Sequence, residues 1–371
     1  MKVIFTIDSL QQGGAEQSLA SLIRSFPPET EVMVLYFFSK HDLLPEFQSL
    51  NIRLVNAGLT SKQQWWKGMQ FLQKQILEFK PNGVVSCLYW SNQVSRLVCK
   101  QMNVPLIGTL VSDSYSERRT NSFHFKRKLA FRFYHLLDRL TSGIPRKWIA
   151  NSESIKKSNA VSLGLDLNKI DVVYRGRDVD IFNAWSSPVQ PPFRFVFIGR
   201  LLETKGLKEL LKAFHQLIQN HQNVQLEIFG DGTYRNTLEE LIQSLNLQST
   251  VILHGRVNDA WKKLYQAHCF VFPSWYEGFS GALVEAMMTG IPIIASDIPM
   301  NLEAVTDHQT ASTFKVGDEK DLLNKMEVIL NDYPNAVSMG NTARTQAMMR
   351  FNQHSISKQY HQILEHSFMD Q

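Results

Sequence analysis

The sequence predicts an α/β protein of two doubly wound, Rossmann-like domains that face each other across one cleft. The chain has 371 residues, which is more than one hydrophobic core usually holds. Short β-branched segments alternate with helical patterns, the order expected for parallel sheets with right-handed crossovers. A strand, a glycine-containing loop and a helix also open each half of the chain.

The first half opens with a strand at residues 3–7, followed by Gly13-Gly14 and then by apolar residues at helical spacing. An amphipathic helix is predicted over 65–79, where Pro81 ends the pattern. Further strands of this half are predicted at 31–38, 52–55, 83–88 and 104–109.

The second half repeats this order after the proline-rich segment 188–192. A strand at 193–198 precedes a helix at 206–217, and a final helix is predicted over 355–368. Further strands are predicted at 224–229, 251–253, 269–272 and 291–295. Because consecutive prolines favour an extended connection, we predict an N-terminal domain over 1–182, a linker over 183–192 and a C-terminal domain over 193–354.

Composition excludes several classes of protein. A hydrophobic fraction of 44% with 20% charged residues is typical of a folded globular chain and not of a disordered one. Cys87, Cys99 and Cys269 form no Cys-x-x-Cys pair, which indicates reduced thiols. The sequence has neither a signal-peptide pattern nor about 18 continuous apolar residues, so we expect a cytoplasmic protein.

Residues 118–147 are strongly basic, with nine lysines and arginines against Asp138 alone and five phenylalanines and tyrosines among them. Such a helical stretch can lie on an anionic membrane surface. The alternative is a helix pair with buried aromatic rings and solvated charges. No nucleic-acid partner is expected.

The most specific segment is 273–296, PSWYEGFSGALVEAMMTGIPIIAS. Glu277 falls in a loop after a strand, and Glu285 lies eight positions later in the next helix. Between them, Gly278, Ser280 and Gly281 place small residues at a helix N-terminus, where free N–H groups favour a phosphate. A phosphate site beside two hydroxyl-binding acids fits a sugar nucleotide, although the same residues also suit ordinary capping and surface positions.

Two cations, Arg200 and Lys205, follow the first strand of the second half. Arginine matches phosphate oxygens with a planar fork, and lysine supplies a compact charge. At the carboxyl end of a strand, both would stabilise a diphosphate leaving group without a metal ion. Solvated loop cations are the alternative.

These motifs resemble, in order and spacing, those of the family 4 retaining glycosyltransferases, which have the GT-B fold. The 273–296 segment is highly specific, whereas the other motifs are weak alone. The resemblance also includes Arg200, Lys205-Gly206, Gly230-Asp231-Gly232 and His254-Gly255, and it extends forward through Gly13-Gly14-Ala15-Glu16, residues 151–154 and residues 172–176.

The resemblance implies a role for each matching residue. Arg200 and Lys205 would contact the donor diphosphate, Glu285 the ribose hydroxyls, and Glu277 the transferred sugar near the reacting carbon. Gly13 and Gly14 would approach the donor phosphates or the acceptor. The remaining donor contacts would come from Phe279, Ser280, Gly281, Ala282, Arg256 and Val257.

The resemblance also implies retention of anomeric configuration by front-face attack, with no protein nucleophile and no metal ion. Asp178-Val179-Asp180 has the letters of a metal-binding motif, but its place at the domain junction favours a structural role over metal binding. Many family members have a sugar-binding histidine where this chain reads Val111-Ser112-Asp113-Ser114. Asp113 or His124 would replace it, or the sugar is held differently.

The resemblance therefore implies a hexosyltransferase-type enzyme of bacterial surface polysaccharide or lipopolysaccharide synthesis. It would use a nucleoside diphosphate sugar, UDP-linked by default and GDP-linked as second choice, and a glycan or lipid-linked acceptor. The alternatives are a GT-B epimerase or phosphorylase and a non-catalytic protein that binds sugar nucleotides. In this fold, the C-terminal helix at 355–371 would join the first domain, unless it is an ordinary surface helix.

Overall fold

The computed structural model describes residues 1–113, 115, 125–188 and 191–369, with side chains for all of these except 125–127. The chain divides into two compact units. The first comprises Met1–Gly176 and Gln353–Gln371, and the second comprises Arg177–Asn352.

Within its described residues, the first unit contains a seven-stranded parallel sheet of order β3-β2-β1-β4-β5-β6-β7. Its strands are β1 Lys2–Ile7, β2 Glu31–Phe38, β3 Arg53–Leu59, β4 Gly83–Cys87, β5 Leu106–Leu110, β6 Lys147–Ala150 and β7 Ile170–Val172. Helices on this part of the chain are α1 Gly14–Arg24, α2 Leu44–Gln48, α3 Trp65–Phe79, α4 Tyr89–Met102, α5 Phe125–Thr141 and α6 Glu153–Leu163.

The sheet of the first unit is apolar on both faces. Successive strand residues point to opposite faces, so Phe5 packs in the cluster that contains α1 residues, and Ile4 packs with Trp90 and Val94 of α4. Helices that cover both faces are what a fully parallel sheet requires. This explains why the strands are continuous apolar runs.

The second unit contains, within its described residues, a six-stranded parallel sheet of order β10-β9-β8-β11-β12-β13. Its strands are β8 Phe193–Ile198, β9 Val224–Phe229, β10 Val251–Gly255, β11 Cys269–Phe272, β12 Ile293–Ser296 and β13 Ser312–Phe314. Its helices are α7 Leu207–Asn220, α8 Arg235–Ser244, α9 Gly281–Thr289, α10 Pro299–Ala304, α11 Glu319–Asn331 and α12 Tyr333–Arg350. The two parallel sheets confirm the predicted α/β class.

The last helix, α13 Gln353–Phe368, belongs to the first unit. Ile356, Tyr360, Leu364 and Phe368 are buried in the same core cluster as β1 and α1 residues. A Cβ atom on Gly83 would collide with the Phe368 ring, so strand β4 and the helix are in direct contact. The structure therefore places this segment in a core and not on the surface.

The division between the units differs from the predicted domain boundaries. It falls between Gly176 and Arg177, and the described part of the segment predicted as a linker packs on the second unit. Trp185 is buried, and its backbone N–H donates to Thr289 O at 2.8 Å while its Nε1 donates to Ala267 O at 3.0 Å. Burial of a large aromatic side chain fixes this segment where the prolines suggested a free connection.

The three cysteines are free and buried. Burial raises the pKa of the Cys87 and Cys99 thiols to about 12, so both are protonated at neutral pH. Among the described residues, no helix combines the length and the apolar character needed to cross a membrane.

Candidate active site

Each sheet has one point where the strand order reverses. In the second unit this point lies between β8 and β11, which are neighbours in the sheet but far apart in the chain. Ligands of open α/β sheets bind beside the carboxyl ends of the strands at such a point. A ligand-binding site is therefore expected in the loops that follow β8 and β11.

These two loops pack closely on each other. Gly206 has φ of +67°, a conformation that other residues rarely adopt, and a Cβ atom there would collide with Pro273 O. The Trp275 N–H donates to Thr204 O at 2.9 Å. These contacts hold Lys205 beside the segment that carries Glu277.

Lys205 and Glu277 form an ion pair between the two loops, from Nζ to Oε1. Their side chains are only 13% and 12% exposed, so the pair is much less screened by solvent than a surface pair. Both residues were predicted from the sequence as site residues, and the structure brings them together.

Glu285 is paired in the same way with Arg177, whose Nε lies 2.8 Å from Oε1 of Glu285. Both side chains are 19% exposed. A Cβ atom on Gly281 would collide with Nη2 of Arg177, so the guanidinium reaches from Glu285 to the first residue of α9. Arg177 directly precedes Asp178-Val179-Asp180 and was not among the site residues predicted from the sequence.

Helix α9 begins beside both ion pairs. Ser280 is its N-cap and accepts a hydrogen bond from Leu283 N at 3.4 Å. Phe279 is buried against Phe351, so only its backbone can meet a ligand. Gly281 and Ala282 are partly exposed, and the first N–H groups of a helix favour an anion.

Three other predicted site residues are not members of these two ion pairs: Arg200, Arg256 and Val257. Arg200 is exposed just after β8. Its side chain forms no hydrogen bond or ion pair with the described residues. Arg256 and Val257 follow β10, which is separated from β8 by β9. At normal strand spacing this is about 10 Å along the edge of the sheet.

In the first unit, Gly13 is the N-cap of α1 and Gly14 is its first residue. A Cβ atom on Gly13 would collide with the Glu16 carboxylate, and one on Gly14 would lie 2.6 Å from Nη1 of Arg175. The space that the glycines leave open is therefore lined by side chains of this chain. Any ligand at this loop would meet Glu16 and Arg175 as well as the backbone.

The other polar residues singled out from the sequence have local roles or lie outside the described part. Asp113 accepts a hydrogen bond from Ser158 Oγ, whereas Ser114 and His124 lie outside the described residues. Asp178 accepts from Asp180 N at 3.1 Å and caps a short 3-10 helix, Val179–Ile181. In the described residues, no three His, Cys, Asp or Glu side chains gather in a metal-binding group.

Helix α5 exposes an apolar stripe. Leu129, Phe133, Leu136 and Leu140 recur at spacings of four, three and four residues and are 55–71% exposed, so the aromatic rings of this stretch are not all buried. The side chains described next to these residues in the sequence include Lys128, Arg132 and Arg139. Arg118, Arg119 and Phe123 of the same basic stretch lie outside the described residues.

Two family models match the chain in succession. The model described as Glycosyltransferase Family 4 matches residues 12–181, and the model described as Glycosyl transferases group 1 matches residues 181–346.

An uncharacterised glycosyltransferase of Methanocaldococcus jannaschii is 32% identical over 151 residues, which are 41% of this chain and 37% of that protein. The chain spans only 37–61% of the length of the first four curated relatives that it matches. A longer match of 23% identity covers 92% of this chain and 93% of a Campylobacter jejuni protein, N-acetylgalactosamine-N,N'-diacetylbacillosaminyl-diphospho-undecaprenol 4-alpha-N-acetylgalactosaminyltransferase.

Among solved structures, Anabaena HepE in complex with UDP superimposes with a TM-score of 0.82 at 20% identity. The match covers 98% of this chain and 100% of the HepE chain. At this identity the likeness establishes a shared fold.

Proposed function

The chain belongs to the family 4 glycosyltransferases, and on that premise we propose that it moves a sugar from a nucleoside diphosphate sugar to a glycan or lipid-linked acceptor. The family motifs in 273–296 and the two successive family matches support this proposal. The polysaccharide-related acceptor is supported by the name of the Campylobacter relative, which acts on a diphospho-undecaprenol glycan. The UDP found with HepE favours a UDP-linked donor, with a GDP-linked donor as second choice.

One observation carries the proposal: two carboxylates, each paired with its own cation, flank the N-terminus of α9 at the reversal point of the second sheet. In the proposed complex, the donor diphosphate lies between Lys205 and the first amides of α9. Glu285 accepts hydrogen bonds from the ribose hydroxyls, and Glu277 accepts from hydroxyls of the transferred sugar. The exposed Arg200 guanidinium donates hydrogen bonds to the outer phosphate oxygens.

The reaction follows from where these charges lie. The bond between the anomeric carbon and the phosphate oxygen breaks, and the acceptor oxygen bonds to the same face of that carbon. The acceptor proton passes to the leaving diphosphate. Negative charge grows on that diphosphate, where Lys205 and the helix N-terminus are already positioned to stabilise it, so we propose that no metal ion is required.

A thermal-shift screen of the purified protein with UDP, GDP, ADP and CMP, each with and without EDTA, tests the proposal. UDP at about one hundred times its Kd should stabilise the protein by about 2.7 kcal/mol, and EDTA should leave the shift unchanged. A shift that EDTA abolishes would contradict the metal-free mechanism. The absence of a shift with all four nucleotides would contradict a nucleotide-sugar site.

Activity assays distinguish a transferase from an epimerase and from a non-catalytic protein. Release of UDP that depends on an added glycan acceptor supports a transferase. Interconversion of the donor sugar without an acceptor would support an epimerase, and UDP binding without either reaction would support a non-catalytic protein.

We also propose that the exposed stripe of α5 rests on an anionic membrane. Its only described acidic side chain, Asp138, is buried and paired with Arg96, so the charges that the helix presents to solvent are positive. An apolar stripe flanked by cations is the pattern of interfacial helices. A lipid-linked acceptor would be reached from such a position.

Co-sedimentation with lipid vesicles tests the proposed contact between α5 and an anionic membrane. The wild type should pellet with vesicles of phosphatidylglycerol and phosphatidylcholine, and much less with phosphatidylcholine alone. Phe133→Ser combined with Leu136→Ser should abolish pelleting, whereas Val161→Ser, which changes an 83% exposed residue on α6, should not. Equal pelleting of both variants would contradict the membrane surface.

A further inference from the structure

Glu285, the residue proposed to bind the ribose hydroxyls, is held in place by Arg177. Glu285 is the fifth residue of α9, one turn after Gly281, and side chains on a helix lean towards its N-terminus. The carboxylate therefore lies close to the start of α9. Arg177 Nε donates to Glu285 Oε1 at 2.8 Å, and among the described residues this is the only hydrogen bond of the Glu285 side chain.

The second oxygen of the same carboxylate is open. Glu285 Oε2 forms no hydrogen bond with the described residues, yet it is not one of the fully buried atoms that lack a partner. It is therefore accessible to solvent or to a ligand. Arg177 thus occupies one carboxylate oxygen and leaves the other for the hydroxyls of a ribose.

Arg177 is itself fixed at both ends. Its backbone N–H donates to Phe351 O at 2.8 Å, and the residue forms a β-bridge with Asn352. At the other end of the side chain, a Cβ atom on Gly281 would collide with Nη2, so the guanidinium packs directly on the first residue of α9. An arginine that is fixed in this way also fixes the carboxylate to which it donates.

This contact orders Glu285 before a nucleotide binds. An unpaired glutamate rotates about three side-chain bonds, and the loss of that freedom weakens binding by about 10- to 30-fold. Both side chains of the pair are only 19% exposed, so solvent screens the attraction less than in a surface pair. A ribose that binds to Glu285 therefore incurs little of the ordering cost.

We propose that Arg177 is a positioning residue that gives the donor site its preference for a ribose with free hydroxyls. It fixes Glu285 through Oε1, so that Oε2 accepts from the ribose. Arg177 acts through Glu285 and does not have to touch the nucleotide. This inference rests on the proposed function, because it takes Glu285 as the residue that binds the ribose.

Isothermal titration calorimetry of the full chain with UDP and with 2′,3′-dideoxy-UDP tests this role. The ratio of the two dissociation constants measures the contribution of the ribose hydroxyls, and a general loss of phosphate affinity does not change it. The wild type should bind UDP at least about tenfold more tightly than the dideoxy nucleotide, as expected for one hydrogen bond to a charged group. Glu285→Ala should bind the two nucleotides equally.

Arg177→Met keeps the length of the side chain and removes its donors. The preference for UDP should fall below about threefold, because the carboxylate is still present but is no longer ordered. Arg235→Met is the matched control: Arg235 Nε donates to Glu239 Oε1 at 2.7 Å on α8, and loss of this pair should leave the preference unchanged. Gly281→Ala is an independent second variant, because its methyl group displaces Arg177 Nη2 and should also lower the preference.

A wild-type preference in Arg177→Met would overturn the inference. If that variant does not fold, a wild-type preference in Gly281→Ala would overturn it. Either result, together with loss of the preference in Glu285→Ala, would leave the proposed function intact. Equal binding of both nucleotides by the wild type would refute the ribose role of Glu285 and this inference with it, and no binding of UDP would also refute the proposed UDP-linked donor.

Discussion

Replacing Lys205 with alanine removes the ammonium group that pairs with Glu277 in the second unit. A hydrogen bond to a charged group contributes about 1.5–3 kcal/mol. If Lys205 donates to the diphosphate of bound UDP, the Kd of Lys205→Ala for UDP should rise by about 10- to 150-fold. The same change also leaves Glu277, which is 12% exposed, as an unpaired carboxylate that would repel a diphosphate.

A double-mutant cycle separates these two effects. Glu277→Gln keeps the shape of the side chain and removes its charge, so the repulsion is absent from Lys205→Ala combined with Glu277→Gln. We expect this double variant to bind UDP at least about tenfold more weakly than Glu277→Gln alone, as measured by isothermal titration calorimetry.

Lys208→Ala is the matched control, because Lys208 is exposed just beyond the same loop and should be replaceable without loss of UDP affinity. Equal UDP affinity of the double variant and Glu277→Gln would refute the reasoning. It would mean that Lys205 acts only by neutralising Glu277 and makes no contact with the diphosphate.

Three other predictions concern neighbouring groups. Glu285→Ala should raise the Kd for UDP by about tenfold or more, whereas Glu277→Ala should lower kcat without weakening UDP binding; calorimetry and steady-state kinetics that show equal losses of UDP affinity would contradict this division. Arg177→Lys should bind UDP about as weakly as Arg177→Ala, because a single ammonium group cannot pair with Glu285 and also reach the start of α9; full rescue by lysine in the same titration would argue against it. Burial lowers the pKa of His268 below its usual 6.5, so the free energy of unfolding should fall as pH is lowered from 6.5 through the folded-state pKa; urea denaturation should show that His268→Gln loses this part of the pH dependence and that His308→Gln, which changes an exposed residue, keeps it.

The fold was predictable where strands were long and apolar. Residues 31–38 and 193–198 are apolar at every position except Glu31 and Arg194. Such a pattern indicates a buried strand or helix, and the short length favours a strand. The four-residue β6 lies in a basic stretch, and the three-residue β7 and β13 contain too few positions to show a period. These short strands were missed because pairing with a longer neighbour, and not their own pattern, makes them strands.

The candidate site was predictable in its residues but not in its pairing. Glu277, Glu285 and Lys205 were identified because their types and spacing fit a phosphate and two hydroxyl-bearing sugars. Arg177 was missed because it meets Glu285 across 108 positions of sequence. The sequence also could not predict that Asn151 Oδ1 has no hydrogen-bond partner among the described residues. Whether a buried amide finds a partner depends on the residues that pack around it.

The position of α13 has a consequence for the order in which the chain is made. The core of the first unit contains Phe368 and Tyr360, yet the ribosome must add all of Arg177–Asn352 before these residues exist. At about 5–20 residues per second, the emerging first unit waits about 10 to 35 s with an apolar surface open to solvent. During that interval the nascent chain is a natural client for chaperones, and the second unit can complete its own core before the first.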